Sequence, residues 1–455
     1  MSKEYSNCLI GLLSQYHDLY PDQYFILAIE SNDRELLAKL MSCGWDLPLS
    51  IFPLAADLPK AYKNKLLLQT GTRLLLSEKS AGISESIRVL PLSVLSQTSK
   101  KHSLKKPLED KLDAIKLIVA TSGTTSKPKA ICLSRKNILA HVQSSQERIA
   151  LDSNSIWLNC LPLNHVGGAM IVYRSLMADA KVLFQQQFDP AAIWQAINTQ
   201  NVSHISLVPI MLEQLLRISM GQLPPNSLQM VLIGGSALQQ DLYQRGLSSG
   251  WPLCVSYGSS ETCSHIATNC ERELLYHTGL TGLPLTGAEI KIQRDDPAAS
   301  FGLIKIKGPM VMSGYANPDH IVGEGLENGW FTSTDYGYIN QKGQLVVLGR
   351  ADNIINSGGE KIHPELVESE LRACPGILEA GIIAVVDKQW GEKVVLVYAG
   401  KWSEDMVKTW CESNLEKKYK PRVYSKVDKL PRNRLGKIKT NDLLQIISTA
   451  NFPEP

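Results

Sequence analysis

Residues 115–130 read IKLIVATSGTTSKPKA, an apolar run at 115–120 that breaks into Thr121-Ser122-Gly123-Thr124-Thr125-Ser126-Lys127-Pro128-Lys129. The apolar half is a strand candidate. In the polar half, Gly123 permits a tight backbone path, and hydroxyls and N–H groups can surround phosphate oxygens. Lys127 or Lys129 can offset the phosphate charge. The order differs from GxxxxGK[ST], so a Walker-type ATPase is not supported. Local chemistry alone leaves an ordinary Ser/Thr-rich turn open beside a phosphate loop.

Outward from this segment, short apolar runs alternate with helix-length intervals. Residues 155–161, 204–208, 230–233 and 254–257 are further strand candidates. Such alternation predicts an α/β fold with buried sheets and helical cover. Runs at 289–293, 303–307 and 345–348 predict a strand-rich end to a large multi-sheet amino-terminal domain, 1–350. A smaller α+β carboxy-terminal domain, 351–455, follows a boundary between Arg350 and Asp352. It carries helices from about 364 and at 404–415, and strands at 381–386 and 394–399. The first hundred residues read as short helices, one at 34–41, and the Lys- and Ser-rich stretch 93–110 reads as an exposed connection.

The 455 residues are 44% hydrophobic, and 47 Lys+Arg against 44 Asp+Glu leave +3. Those values exclude a disulfide-stapled miniprotein, a collagen-like repeat and a wholly disordered chain, and they supply no broad field for nucleic acid. The apolar runs are too short to span a bilayer. The start Met-Ser-Lys-Glu lacks signal-peptide order, so a cytoplasmic protein without stable membrane insertion is expected. Nine scattered cysteines form no metal-site spacing, and an odd, sparse set of this kind fits reduced thiols. Composition leaves a monomer and a homo-oligomer both open.

Three more segments carry chemistry. Gly234-Gly235-Ser236 follows a strand candidate and allows a flat ligand, or simply a tight connection. Tyr257-Gly258-Ser259-Ser260-Glu261-Thr262 places an aromatic ring, a small-residue turn and a carboxylate in succession. Tyr257 can stack on an adenine and Glu261 can offer oxygen to Mg²⁺. Asp335 can accept from ribose hydroxyls, with Arg350 assisting on the ribose or phosphate side. Together they describe an ATP-handling cleft.

The motif order resembles the acyl-adenylate-forming superfamily of acyl-CoA ligases, adenylation domains and luciferases. The matching segments are TSGTTSKPKA (121–130), LPLNHVGG (161–168), LIGGSAL (232–238), YGSSET (257–262), GPMVMSGY (308–315), FTSTDYG (331–337), GRADNIINSGGEKIHPELVE (349–368) and LPRNRLGKIK (430–439). Eight segments in the expected order make convergence improbable. The resemblance implies that a carboxylate attacks the α-phosphate of Mg-ATP to give an acyl-adenylate, after which coenzyme A displaces AMP. It makes Thr121, Ser122, Gly123, Thr124, Thr125 and Lys129 parts of the phosphate loop. Gly234, Gly235, Ser236 and Tyr257 become the adenine-side wall, Glu261 the Mg²⁺ ligand, and Asp335 with Arg350 the ribose-contacting pair. Asp352 resembles the hinge residue and Lys437 the mobile catalytic lysine. Gly358 and Gly359 match the loop that admits pantetheine. His165 resembles the gate beside the acyl pocket, with Ser206, Pro209 and Gly258 to Ser260 as further pocket candidates, although a satisfied core histidine stays open for His165.

Two departures touch the site: Ser126 stands where glycine is usual, and Ser260 replaces the usual threonine while keeping its hydroxyl. The short stretch before Thr121 implies a compact CoA ligase acting on a small aromatic or acyl carboxylic acid. LNHVGG lacks the aspartate segment of many amino-acid adenylation domains, which disfavours a peptide synthetase. A catalytically silent nucleotide-binding protein is the competing class, and intact Glu261, Asp335, Arg350 and Lys437 weigh against it.

Overall fold

In the computed structural model, residues 3–19, 25–79, 82–96, 112–121, 129–271, 276–294, 297–317, 323–358, 360–387, 389–432, 438 and 440–449 are described. A seven-stranded sheet runs in the order Gly314–Tyr315, Lys129–Ser134, Ile115–Thr121, Leu49–Leu54, Phe25–Glu30, Leu74–Leu76, Arg88–Leu90. Its last five strands are parallel, and Lys129–Ser134 turns back antiparallel onto Ile115–Thr121. Four of these strands lie in the first hundred residues, where the sequence suggested helices alone. FILAIE and LSIFPL are buried at every position. Covered on both faces, such strands lose the period-two alternation that would mark them.

An eleven-stranded sheet carries the other site segments. Its parallel part includes Ile156–Asn159, His204–Leu207, Met230–Ile233 and Leu253–Ser259, and its antiparallel part reaches Phe331–Ile339 and Leu345–Arg350. Helices cover both sheets, and local chemistry starts them cleanly. Ser134 and Asn137 form a capping box at Arg135–Ile149. Asp189 caps Pro190–Thr199, whose first residue is proline. One core cluster, including Leu117, Ile138, Met170 and Ile266, fastens the two sheets together.

The third sheet has five strands between Ile355 and Lys426, with its own core around Val367, Leu396 and Val407. It makes the architecture a large multi-sheet α/β region followed by a smaller α+β one. The helix Pro364–Leu371 and its lead-in touch the large region: Ser369 Oγ lies 3.2 Å from Thr278 Oγ1, and Arg372 lies 3.8 Å from Asp241. His363, 3% exposed, meets Phe301 and Tyr336 edge to face at 5.1 and 5.7 Å.

On the same helix, Glu368 accepts the Ile382 N–H at 2.8 Å. Burial pushes its carboxyl up to about 8, Glu365 adds to that rise, and Arg372 and Arg432 oppose it. A carboxyl raised on folding contributes stability that is complete below about 4.5 and is lost as pH rises through about 8. Glu368→Gln is therefore expected to match the parent Tm near pH 5 and to exceed it above about pH 8. Thermal melts of both proteins across that range test this, and a Tm difference that stays constant with pH contradicts it.

One expectation is corrected. Cys254 and Cys270 form a disulfide, so the nine thiols are not all reduced. Cys254 lies in the strand Leu253–Ser259 and Cys270 directly follows the strand Ser264–Asn269, beside the Val255–Asn269 register pair, with Cα atoms 4.0 Å apart. That adjacency comes from strand pairing and leaves no spacing signal. The other seven cysteines are in no disulfide. Denatured, unreduced protein is expected to titrate seven thiols and reduced protein nine; nine without reductant contradicts the pairing.

Candidate active site

The site forms where strand ends from both large sheets meet. Thr121 and Lys129 are register partners across the two strands that flank the proposed phosphate loop. Ser122, Gly123, Thr124, Thr125 and the rest of 122–128 lie outside the described residues. Lys129 Nζ sits 5.0 Å from the centre of the Tyr315 ring, which gives the pair a cation–π contact. The Tyr315 hydroxyl donates to Glu261 Oε1 at 3.0 Å. The exit of the loop, Tyr315 and Glu261 are thus contiguous. Burial, followed by the Glu261 charge, pushes the Tyr315 phenol above its ordinary range, so it remains a donor.

Glu261 occupies a single 3₁₀ turn, Ser260–Thr262, closed by a capping box between Ser259 and Thr262. Its backbone carbonyl accepts the Met312 N–H at 2.7 Å. Gly258 fits this turn because a Cβ there would stand 1.8 Å from the Ser264 carbonyl oxygen. Among the described residues no group of three or more His, Cys, Asp or Glu gathers as a metal-binding set. A lone carboxylate with one oxygen engaged by Tyr315 suits Mg²⁺, which keeps waters and nucleotide oxygens as its other ligands.

Beside this turn, the Tyr257 hydroxyl donates to Asp335 Oδ2 at 2.7 Å. Asp335, midway along Phe331–Ile339, is the register partner of Arg350 at the end of Leu345–Arg350, which puts an anion and a cation side by side on neighbouring strands. Burial and then the Asp335 charge hold the Tyr257 phenol well above its usual range. Gly234 and Gly235 follow the Met230–Ile233 strand, next to the strand bearing Tyr257, and a Cβ on Gly234 would meet Ser256 Oγ at 2.9 Å. Ser236 is in the same loop. The structure therefore links Lys129 to Glu261 through Tyr315 and Tyr257 to Asp335 and Arg350, with Gly234 and Gly235 on the neighbouring strand's exit.

His165 is the N-cap of Val166–Met177, with extended backbone, and its carbonyl accepts the N–H groups of Gly168 and Ala169. It is half-buried. Ser206 is 5% exposed on the adjacent His204–Leu207 strand, and Pro209 opens the helix that follows.

In the small region, Gly358 turns the hairpin between Ile355–Ser357 and Glu360–Ile362. Its φ is +61°, and a Cβ would stand 2.8 Å from the Trp390 ring, so glycine is required by both backbone and packing. Gly359 lies outside the described residues, as do Lys437 and the Asp352 side chain. The Asp352 backbone forms the 3₁₀ turn Ala351–Asn353. Arg432 and Ile438, on either side of 433–437, pair in an isolated β-bridge.

Two participants lie in the matching segments 308–315 and 349–368 but have no role assigned from sequence. Tyr315 supports Glu261 from 54 positions away, and Glu365 reaches back from the small region to Gly349, beside Arg350. Burial, together with the nearby Asp335 charge, raises the Glu365 carboxyl. Both contacts come from sheet order, which spacing along the chain does not encode.

A cleft with paired glycines, a tyrosine-held carboxylate and an Asp–Arg pair offers the groups that an adenylate-forming nucleotide site uses. Residues 53–316 match the AMP-binding enzyme family, and residues 366–437 match the AMP-binding enzyme C-terminal domain. The chain belongs to the AMP-binding enzyme family. Its relatives include 2-succinylbenzoate–CoA ligases of Bacillus cereus (strain ATCC 10987 / NRS 248) and Bacillus cytotoxicus. The first is 34% identical over 74% of this chain and 72% of the relative, the second 35% identical over 72% and 70%. The fold matches the o-succinylbenzoate CoA synthetase of Bacillus subtilis in complex with its acyl-adenylate intermediate, at TM-score 0.83 and 28% identity, covering 96% of this chain and 91% of that one. The same synthetase with ATP and a magnesium ion matches at TM-score 0.84.

Proposed function

We propose that this protein is an AMP-forming 2-succinylbenzoate–CoA ligase of the cytoplasm, serving menaquinone or phylloquinone synthesis. ATP and 2-succinylbenzoate give the acyl-adenylate and pyrophosphate; coenzyme A then gives 2-succinylbenzoyl-CoA and AMP. The observation that carries the substrate is the likeness over nearly the whole chain to a synthetase captured with its own acyl-adenylate.

In the first step the succinyl carboxylate attacks the α-phosphorus and the bond to pyrophosphate breaks. The loop 121–129 cradles the phosphates through N–H and hydroxyl groups, with Lys129 adding charge. Glu261, steadied by Tyr315, holds Mg²⁺, which when bound neutralises phosphate charge. Tyr257 lines the adenine beside Gly234, Gly235 and Ser236, while Asp335 and Arg350 orient the ribose. Lys437 bridges the carboxylate and α-phosphate, offsetting charge where it develops. His165 bounds the acyl pocket with Ser206 and Ser260.

In the second step the thiolate of coenzyme A attacks the acyl carbon and AMP leaves. The large domain 1–350 and small domain 351–455 turn about Asp352, which exchanges Lys437 for the Gly358–Gly359 loop near the adenylate. The test is an assay with MgATP, coenzyme A and a panel of 2-succinylbenzoate, benzoates, coumarates and fatty acids. AMP and thioester should rise together with 2-succinylbenzoate. Strong preference for another acid overturns the substrate and leaves the ligase class standing.

A further inference from the structure

The helix Pro364–Leu371 brings one carboxyl of the small region against the strand that carries Arg350. A Cβ on Gly349 would stand 2.2 Å from Glu365 Oε2, and Gly349 has φ +141°, so this approach depends on glycine. Glu365 Oε1 lies 3.4 Å from Asn353 Nδ2, on the turn Ala351–Asn353. Glu365 Oε2 is buried and accepts no hydrogen bond among the described residues.

Burial is the largest influence on this carboxyl and raises it above the ordinary carboxylate range. Asp335, on Phe331–Ile339, adds to the rise, while the N–H groups of Glu365 and Arg350 and the Asn353 side chain oppose it. On the same helix, burial and then the Glu365 charge raise Glu368. His363, at the N-cap, packs on Phe301 and Tyr336.

A carboxyl oxygen that meets no donor is costly to bury as an anion and far less so as a neutral acid. Ionised Glu365 also repels Asp335. The two carboxyls belong to different regions of the chain, so moving the regions apart relieves both costs. Contact that raises a carboxyl is strongest below about 4.5 and weakens as pH rises through that carboxyl's higher range. Arg372 with Asp241 at 3.8 Å, and Ser369 with Thr278 at 3.2 Å, hold the same contact without Glu365. Charge on Glu365 therefore weakens docking without abolishing it.

We propose that Glu365 is a positioning residue that couples docking of the small region to one proton: protonated, it keeps the helix Pro364–Leu371 against the ribose strands, and its ionisation releases that helix. The inference rests on the turning of the two domains about Asp352 proposed above. Rotation would carry Glu365 from Asp335 into water, where its charge is solvated. Glu365 touches no reacting atom in this role. It sets how readily the small region leaves one arrangement for the other.

The test uses the whole chain and needs no turnover. Spin labels on Gln143→Cys and Lys408→Cys, exposed positions on one helix of each region, read docked and released populations by pulsed EPR. The docked-to-released ratio is expected to fall about 3–10-fold from about pH 5 to about pH 8.5. Glu365→Gln, close in shape and without charge, should show no such fall. A ratio indifferent to pH in the labelled parent, or the same fall in Glu365→Gln, which retains Glu368, overturns the coupling and leaves the turning of the domains standing. One distance at every pH, with and without coenzyme A, overturns both. The labelled parent decides even if the variant does not fold.

Discussion

Lys437→Ala is expected to slow adenylate formation by about 10²–10³-fold, while thioester formation from supplied acyl-adenylate stays within about threefold. A lysine ammonium has no acid–base task in this reaction. Its value lies in placing positive charge between an attacking carboxylate and an α-phosphate, two groups that repel each other until the new bond forms. Loss of one such preorganised charge costs about 3–4 kcal/mol at the transition state and little in the ground state. The thiol step displaces AMP from a mixed anhydride already made, so that charge is no longer needed. Pyrophosphate exchange reads the first half-reaction and thioester release from synthetic adenylate reads the second. Equal impairment of both halves removes the proposed role. Lys437→Arg should restore little, because a planar guanidinium does not occupy the place of a compact ammonium.

Asp335→Ala should raise KM for ATP by about 10–100-fold with a smaller effect on kcat. Hydrogen bonds to a charged acceptor contribute about 1.5–3 kcal/mol, and the ribose remains equally bound as the reaction proceeds. Two structural facts sharpen the expectation. The carboxylate already accepts from Tyr257 at 2.7 Å and is the register partner of Arg350, so it is oriented before nucleotide arrives. Tyr257→Phe removes one donor to that carboxylate and should therefore disturb KM less than Asp335→Ala. Initial rates against ATP for both variants decide this. A KM unchanged in Asp335→Ala would falsify the ribose assignment, and a larger effect from Tyr257→Phe would shift the weight of binding to the aromatic side.

The sequence was most readable where function depends on contiguous backbone. The Met230–Ile233 strand with Gly234 and Gly235, and the turn from Tyr257 to Glu261, are local objects whose residue types follow from close backbone approach and tight turning. Ordered motifs then carried the family and the α/β class. The same reading failed at FILAIE and LSIFPL, because strands covered on both faces show no alternation. It also took Cys254 and Cys270 as reduced thiols, although antiparallel pairing sets them side by side.

The sequence by itself determined the class of chemistry: which carboxylates, hydroxyls and glycines are available, and in what order they meet a nucleotide. Only the tertiary structure decided which of them support one another. Tyr315 to Glu261, Tyr257 to Asp335 and Ser369 to Thr278 span 54, 78 and 91 positions. Each pair is made by sheet order and helix packing, which bring distant chain segments within hydrogen-bonding distance. Side-chain spacing along a chain reports only local periodicity, so Glu365 and Asp335 come to oppose each other only once the small region has packed on the strands of the large one.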